Sequence, residues 1–438
     1  MSPDGAKVTF IGLNSLYVAN SNGTGAIQIT NNNSYNTRPD WQSLDAPPPL
    51  VQLSAAAYAV TEGTPGVSVT VTRTGITSGT TSVNYATSDL AGANNCNVIN
   101  GAASSRCDYL TTIGTFNFAA NETSKAVAIP IVDDAYAEGS ETLTFTLTNA
   151  LGGVLAAPAV ATITINDNDA GNGVNPIDTA SFFVRQHYID FLNREPDDAG
   201  LAFWTNQITE CQQPGATCSA EIRRINVSAA FFLSIEFQET GYLVYRIYRA
   251  AIGNINGTPV PLTFNEFLPD TQQIGSGVQV GVGDWQAKLE ANKVAFLLNF
   301  VSRPRFVTAY PTTMTPAQFV DTLFSTAGVT PSASDRNAAI SEFGGAGSTT
   351  DAAARGRALR RVAENSILNQ QEKNKAFVLM QYFGYLRRNP NDPPEANLDF
   401  GGYNFWLGKL NEFNGNFVNA EMVKAFIVSG EYRHRFGP

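Results

Sequence analysis

The spacing of apolar residues changes once along this 438-residue chain, and that change fixes its gross plan. Between 51 and 169 apolar residues recur at every second position. The runs are Val67-Ser-Val-Thr-Val-Thr-Arg73, Ser82-Val-Asn-Tyr-Ala-Thr87, Gly114-Thr-Phe-Asn-Phe118, Lys125-Ala-Val-Ala-Ile-Pro-Ile131, Leu143-Thr-Phe-Thr-Leu147 and Ala161-Thr-Ile-Thr-Ile165. A period of two turns one face of each strand to a core and the other to water. Short strands at regular spacing predict an antiparallel β-sandwich. After Ala170-Gly-Asn-Gly-Val-Asn-Pro176 the period becomes helical. Phe182, Phe183, Gln186, His187 and Ile189 open one helix. Ser228 to Tyr248 and Lys288 to Phe300 read as others, apolar at i, i+3 and i+4. The expected class is multidomain β plus α. A short β segment (1–45) and a stiff Pro-rich linker (46–50) precede the sandwich (51–169). A second linker (170–178) leads to a mostly α-helical region (179–438).

Eight carboxylates fall at the strand ends that such a sandwich would gather at one pole: Glu62, Asp108, Asp133, Asp134, Glu138, Glu141, Asp167 and Asp169. Two carboxylates about 4 Å apart repel by about 4 kcal/mol at an effective dielectric of about 20. A cluster of eight therefore calls for cations. Hard divalent ions with oxygen ligands, Ca²⁺ above all, suit a site made only of carboxylates. Eight exceed what one ion needs, so two or more ions are expected.

The net charge of −10 argues against non-specific binding to nucleic acid or to an anionic membrane. No apolar run is long enough to span a bilayer. The four cysteines form two local pairs, Cys96/Cys107 and Cys211/Cys218, each bracketing a polar stretch. They are either two local disulfides of an oxidising compartment or four unpaired thiols. No CxxC pair supports zinc. The N-terminus shows no basic segment followed by an apolar one, which conflicts with the oxidising reading unless the chain begins inside a longer ancestor or its gene was trimmed.

The 51–169 region resembles a Calx-beta domain, an immunoglobulin-like sandwich. The resemblance rests on Glu62, Tyr85-Ala-Thr-Ser-Asp89, Asp108-Tyr109, Gly114-Thr-Phe-Asn-Phe118, Glu122-Thr-Ser-Lys125, the turn Asp133-Asp-Ala-Tyr-Ala-Glu-Gly-Ser-Glu141 and the closing Asp167-Asn-Asp169. It implies Ca²⁺ held between loops at one end of the sandwich by those eight carboxylates and the backbone carbonyl of Tyr136. Asn168 stands in the closing turn where some members carry Asp. The segment from Leu90 to Arg106 is longer than the usual link. The 179–438 region resembles the bacterial domain of unknown function 4214, found in secreted and cell-surface proteins. Its signature appears as His187-Tyr-Ile-Asp-Phe-Leu-Asn-Arg-Glu-Pro-Asp-Asp-Ala-Gly200 with Phe203-Trp204, and as Ala229-Ala-Phe-Phe-Leu-Ser-Ile-Glu-Phe237. An internal repeat echoes both, at Gln381–Asp392 with Phe405-Trp406 and at Lys424–Tyr432. Here Pro196 suits the first turn of a helix, Arg194 is expected to pair with Glu195, Asp197 or Asp198, and Tyr188 and Trp204 are expected in the core. Residues 1–45 resemble one blade of a TolB-type propeller, through Ser2-Pro-Asp-Gly5, Asn20-Ser-Asn-Gly23 and Arg38-Pro-Asp-Trp41. The plain alternative is a β-hairpin appendage.

Catalytic patterns are poorly represented. Neither histidine, His187 or His434, lies in a nucleophile motif, and no phosphate-cradling glycine loop occurs. The expectation is a non-enzymatic, secreted or cell-surface, calcium-binding structural or adhesion protein. Its partners would be calcium and other surface proteins, glycans or copies of itself. A subunit of a surface layer or filament, and a glycan-active enzyme or carbohydrate-binding protein, are the alternatives.

Overall fold

The computed structural model describes residues 1–2, 4–12, 15–30, 48–88, 96, 98–170 and 173–438. Three short strands, β1 (Lys7–Gly12), β2 (Ser15–Asn20) and β3 (Ile27–Gln28), form an antiparallel sheet in the order β1-β2-β3. The propeller-like Arg38–Trp41 segment lies outside the described residues.

The sandwich follows. Its strands are β4 (Leu50–Leu53), β5 (Ala57–Thr61), β6 (Gly66–Thr74), β7 (Thr81–Thr87), β8 (Ile113–Phe118), β9 (Ser124–Pro130), β10 (Glu141–Leu151), β11 (Val154–Leu155) and β12 (Val160–Asn166). One sheet has the order β5-β12-β10-β7-β8 and the other β11-β4-β6-β9. The alternation of the sequence appears directly in burial. Val69 and Val71 of β6, Leu143 and Phe145 of β10 and Ile163 of β12 point inward into one core with Val51, Leu53, Val83 and Ile129. The Thr residues between them point out. Pairing is antiparallel except at β5/β12 and β11/β4, which run parallel. The first strand crosses between sheets after Leu53, so β4 joins one sheet and β5 the other.

The helical region begins with α1 (Ala180–Leu192), α2 (Asp198–Thr209), α3 (Ala220–Leu233), α4 (Ile235–Glu239), α5 (Gly241–Ile252), α6 (Phe264–Gly275) and α7 (Trp285–Phe300), and further helices continue to Arg433. Ser228 to Tyr248 is not one helix. Ser234 turns extended and its hydroxyl accepts from Phe237 N–H, which ends α3 and caps α4, and Thr240 breaks the chain again before α5. Pro196 likewise stands before the N-cap rather than in the first turn. Asp197 caps α2, accepting from Gly200 N–H at 2.9 Å.

The internal repeat has a shared geometry. Arg194 does not pair with its neighbouring carboxylates. It forks onto Glu236 at 2.7 and 2.8 Å and lies over the Tyr188 ring. In the second copy Arg388 forks onto Glu431 at 2.6 and 2.9 Å and lies over Tyr382. Ser234 and Ser429 cap the short helix that carries each Glu. The glycine of each copy leaves room for a tyrosine hydroxyl: a Cβ on Gly200 or Gly402 would come within 2.6 Å of Tyr188 or Tyr382. The signature thus encodes a partly buried guanidinium–carboxylate fork. Tyr188 is buried and Trp204 packs on the same core.

Both cysteine pairs are disulfides, with Cα–Cα separations of 5.7 Å for Cys96–Cys107 and 5.2 Å for Cys211–Cys218. Among the described residues no helix is long and apolar enough to cross a membrane.

Candidate metal centre

The carboxylates converge because four chain segments end at the same pole. Glu62 follows β5, Asp108 follows the Cys96–Cys107 bridge, Asp133 to Glu141 connect β9 to β10, and Asp167 to Asp169 follow β12. The turn after β5 reverses through Gly63, whose φ of +75° favours glycine. A Cβ there would also meet the Asn168 amide at 3.3 Å and Asp133 Oδ1 at 3.4 Å. Gly139, at φ +77°, makes the corresponding bend before β10.

Three sets of carboxylates each bring ligand atoms within 4.8 Å of one another: Glu62, Asp134 and Glu138; Glu62, Asp133 and Asp169; and Asp108, Glu138 and Glu141. Glu62 links the first two sets and Glu138 the first and third, so the pole is one continuous acidic cluster. Seven of the eight expected carboxylates take part. The eighth, Asp167, holds backbone. Its Oδ2 accepts the N–H groups of Glu138 and Gly139, both at 2.7 Å, and its Oδ1 accepts that of Asp169 at 2.6 Å. Asn168 donates its amide to the Glu62 carbonyl at 2.9 Å, tying the closing turn to the β5 turn. Asp134 Oδ1 accepts from Tyr136 N–H at 2.8 Å. Among the described residues no hydrogen bond reaches the Tyr136 carbonyl.

Burial is severe for such a cluster. Asp108, Asp134, Glu141 and Glu62 are 3%, 5%, 5% and 7% exposed. No arginine, lysine or histidine forms an ion pair with any of the eight among the described residues. Burial and then the neighbouring carboxylates raise Glu62 to about 9, and the same causes raise Glu138 to about 8. Burial raises Asp134 to about 7 against the Tyr136 N–H that opposes it. Burial also raises Asp108, Glu141 and Asp169. Four oxygens, Glu62 Oε2, Asp108 Oδ1, Asp134 Oδ2 and Asp169 Oδ2, are buried with no hydrogen-bond partner. An unpaired buried acceptor is costly. Oxygen-only donors, crowded and unpartnered, fit a hard divalent cation and would suit neither zinc nor copper.

The C-terminal segment closes this pole from the helical side, a contact no local sequence signal announces. Ala135 N–H donates to the Phe436 carbonyl at 3.0 Å and the Tyr136 hydroxyl to the His434 carbonyl at 3.1 Å. Arg435 Nε donates to the Arg106 carbonyl at 2.7 Å while its guanidinium forks onto buried Asp190. Arg106 in turn meets Glu431 at 3.1 Å. The two segments beside Asp108 and Asp134 are thus held by one tail.

The structure also brings together a set that sequence reading passed over. His187 Nε2 lies 2.8 Å from Ser228 Oγ, which contacts the Tyr385 hydroxyl, and His187 Nδ1 lies 2.6 Å from the Phe183 carbonyl. All three side chains are at most 1% exposed, and burial lowers His187 to about 4. This is an internal polar link between the two repeat copies.

Residues 45–169 match the pattern of the Calx-beta domain, and residues 173–240 match a domain of unknown function (DUF4214). Among solved structures, an apo-form Calx CBD1 domain is 27% identical, with 28% of this chain and 99% of that one covered and a TM-score of 0.25. The calcium binding domain CBD12 of CALX1.1 is 29% identical, covering 27% of this chain and 46% of that one, with a TM-score of 0.24. A Calx CBD2 domain is 14% identical, covering 28% and 88%, with a TM-score of 0.24. No curated protein matches the chain. The chain therefore carries a Calx-beta domain followed by a DUF4214 segment.

Proposed function

We propose that this chain is a calcium-binding structural protein of the cell exterior, acting without catalysis, in which Ca²⁺ stiffens the acidic pole of the sandwich and the helical region supplies contacts for adhesion or assembly. The observation that carries the reading is the set of four buried carboxylate oxygens without a partner. When bound, the ions supply the positive charge and the coordination that these oxygens lack. Glu62, Asp133, Asp134 and Asp169 on one side, and Asp108, Glu138 and Glu141 on the other, would hold them, with the Tyr136 carbonyl beside Asp134. The shared Glu62 and Glu138 favour two or more ions. Asp167 and Asn168 order the closing turn by their bonds to backbone.

The consequence extends past the loops. The turn that carries Asp134 and Glu138 is also the turn that Phe436 and His434 grip. Fixing one side of that turn fixes the orientation of the helical region on the other. The two disulfides suit an oxidising exterior, and the acidic surface suits neither nucleic acid nor an anionic membrane.

Amide hydrogen exchange with calcium and with chelator tests the reading. Protection should rise with calcium at 133–139, at 167–169 and at 432–438 together. Unchanged exchange at all three segments would contradict it.

A further inference from the structure

One side chain of the helical region reaches the backbone beneath the acidic pole. Arg185 of α1 donates through Nη2 to the Ile131 carbonyl at 2.8 Å and to the Pro65 carbonyl at 3.3 Å. Its Nε and Nη2 also fork onto Glu195 at 2.8 and 2.6 Å, which aims the guanidinium and offsets its charge. The internal repeat shows that this pair is no part of the shared helical packing. At the matching positions the second copy carries Leu379 and Asn389. Leu379 is fully buried, and Asn389 accepts from Phe264 N–H at 2.7 Å. The Arg–Glu pair stands in the copy that meets Pro65 and Ile131.

The two carbonyls mark a junction of the loops that carry the carboxylates. The β6/β9 ladder ends at Gly66 and Pro130. Just beyond it, Ile131 N–H donates to the Pro65 carbonyl at 3.2 Å and Val132 N–H to the Asp108 carbonyl at 2.9 Å. Tyr109 also bridges to Ile131. Backbone from the segments of Glu62, Asp108 and Asp133 therefore meets at Ile131 and Val132. The Val132 side chain, buried, belongs to the helical core. Arg185 thus ties two of these segments together from outside the sandwich. Glu62 stands just before Pro65 and Asp133 just after Ile131, and both belong to one candidate ligand set with Asp169. Metal ligands depend on a supporting shell that holds them at coordinating distance.

We propose that Arg185 is a positioning residue for calcium, through which the helical region sets the spacing of Glu62 and Asp133; this rests on the calcium-binding reading above. Charge and position predict opposite signs here. Removing a cation near a calcium site, and leaving Glu195 unpaired, would tighten calcium binding by Coulomb attraction. Removing a brace between two ligand-bearing turns weakens it.

Calcium titration of the full chain, wild type against Arg185→Met, separates the two. The variant should bind calcium about tenfold more weakly, a loss in scale with hydrogen bonds from a charged donor. Arg185→Lys keeps the charge but not the fork. It should lose about threefold, a smaller part of the same bonds, and serves if the methionine variant does not fold. A second readout needs no metal. In chelator, amide exchange in the variants should rise at 62–66 and 131–134 above the rest of the sandwich. Calcium bound as tightly as by the wild type, or more tightly, would overturn the proposal. So would exchange that rises evenly over the sandwich, which marks a general loss of stability. A flat titration of the wild type is a different result: it would sink the calcium reading itself, and this assignment with it.

Discussion

Arg73 and Glu62 sit at opposite ends of one sandwich, 1% and 7% exposed, and their surroundings differ in kind. Arg73 lies near the end of β6, where its guanidinium donates to the carbonyls of Glu122, Gly79, Thr77 and Ala119 and to the Thr81 hydroxyl, at 2.8 to 3.0 Å. Its charge is answered entirely by the folded chain. Glu62 lies beyond the other end, among carboxylates, with one oxygen unpartnered. Its charge is answered by nothing the chain supplies. A buried charge met by the protein's own dipoles is stable whenever the protein is folded. A buried charge left unmet makes its neighbourhood depend on protons or cations from solution.

The sharpest way to break this contrast is to remove the self-contained end. Arg73→Met leaves five acceptors without a donor at a buried site and should cost about 3–5 kcal/mol. The loss, read from denaturant unfolding, should be equal with calcium and with chelator. A loss that calcium rescues would show that the two ends are not separate.

The other end should behave conversely. Calcium at about a hundred times its Kd should stabilise the chain by about 2.7 kcal/mol per site. Glu62→Gln removes a ligand shared by two sets, so most of that gain should vanish while stability in chelator stays level or rises. Thermal unfolding of both proteins under both conditions checks this.

Acidity sharpens the comparison further. In the metal-free protein Glu62, Glu138 and Asp134 keep protons up to about 9, 8 and 7, whereas their ordinary values are 4.5, 4.5 and 3.8. Between about pH 5 and pH 9 the folded state binds more protons than the unfolded one. Stability should therefore fall as pH rises through that window. With calcium in place of the protons the slope should flatten. Urea midpoints at several pH values, with calcium and with chelator, measure both.

The smallest effect belongs to the tail. Tyr136→Phe removes the bond to the His434 carbonyl and should cost about 0.5–1.5 kcal/mol. Calcium should bind the variant a few-fold more weakly, because the turn it grips is less fixed. Equal affinity would restrict the tail to a packing role.

How much of this could be read from sequence follows from distance along the chain. The acidic turns were legible because their residues are neighbours: Asp133 to Glu141 within one turn, and Asp167 to Asp169 within another. The strands were legible because period two survives in Val67–Arg73 and Leu143–Leu147. What Asp167 does was not legible, since a carboxylate that caps backbone and one that faces its fellows carry the same letter. The helix breaks at Ser234 and Thr240 were hidden by a continuous apolar period, which records the core and not the caps. Local spacing offers Arg194 only its neighbouring carboxylates, whereas its partner Glu236 is 42 residues away. The grip of Phe436 on Ala135 spans some three hundred residues and leaves no local trace.

The central claim is that the acidic pole is completed by cations. Calorimetric titration of calcium into chelator-stripped protein tests it most directly. The account predicts saturable binding of two or more ions, with protons released on binding near neutral pH and the heat of binding largely lost in Glu62→Gln. A flat titration after verified removal of metal would contradict it.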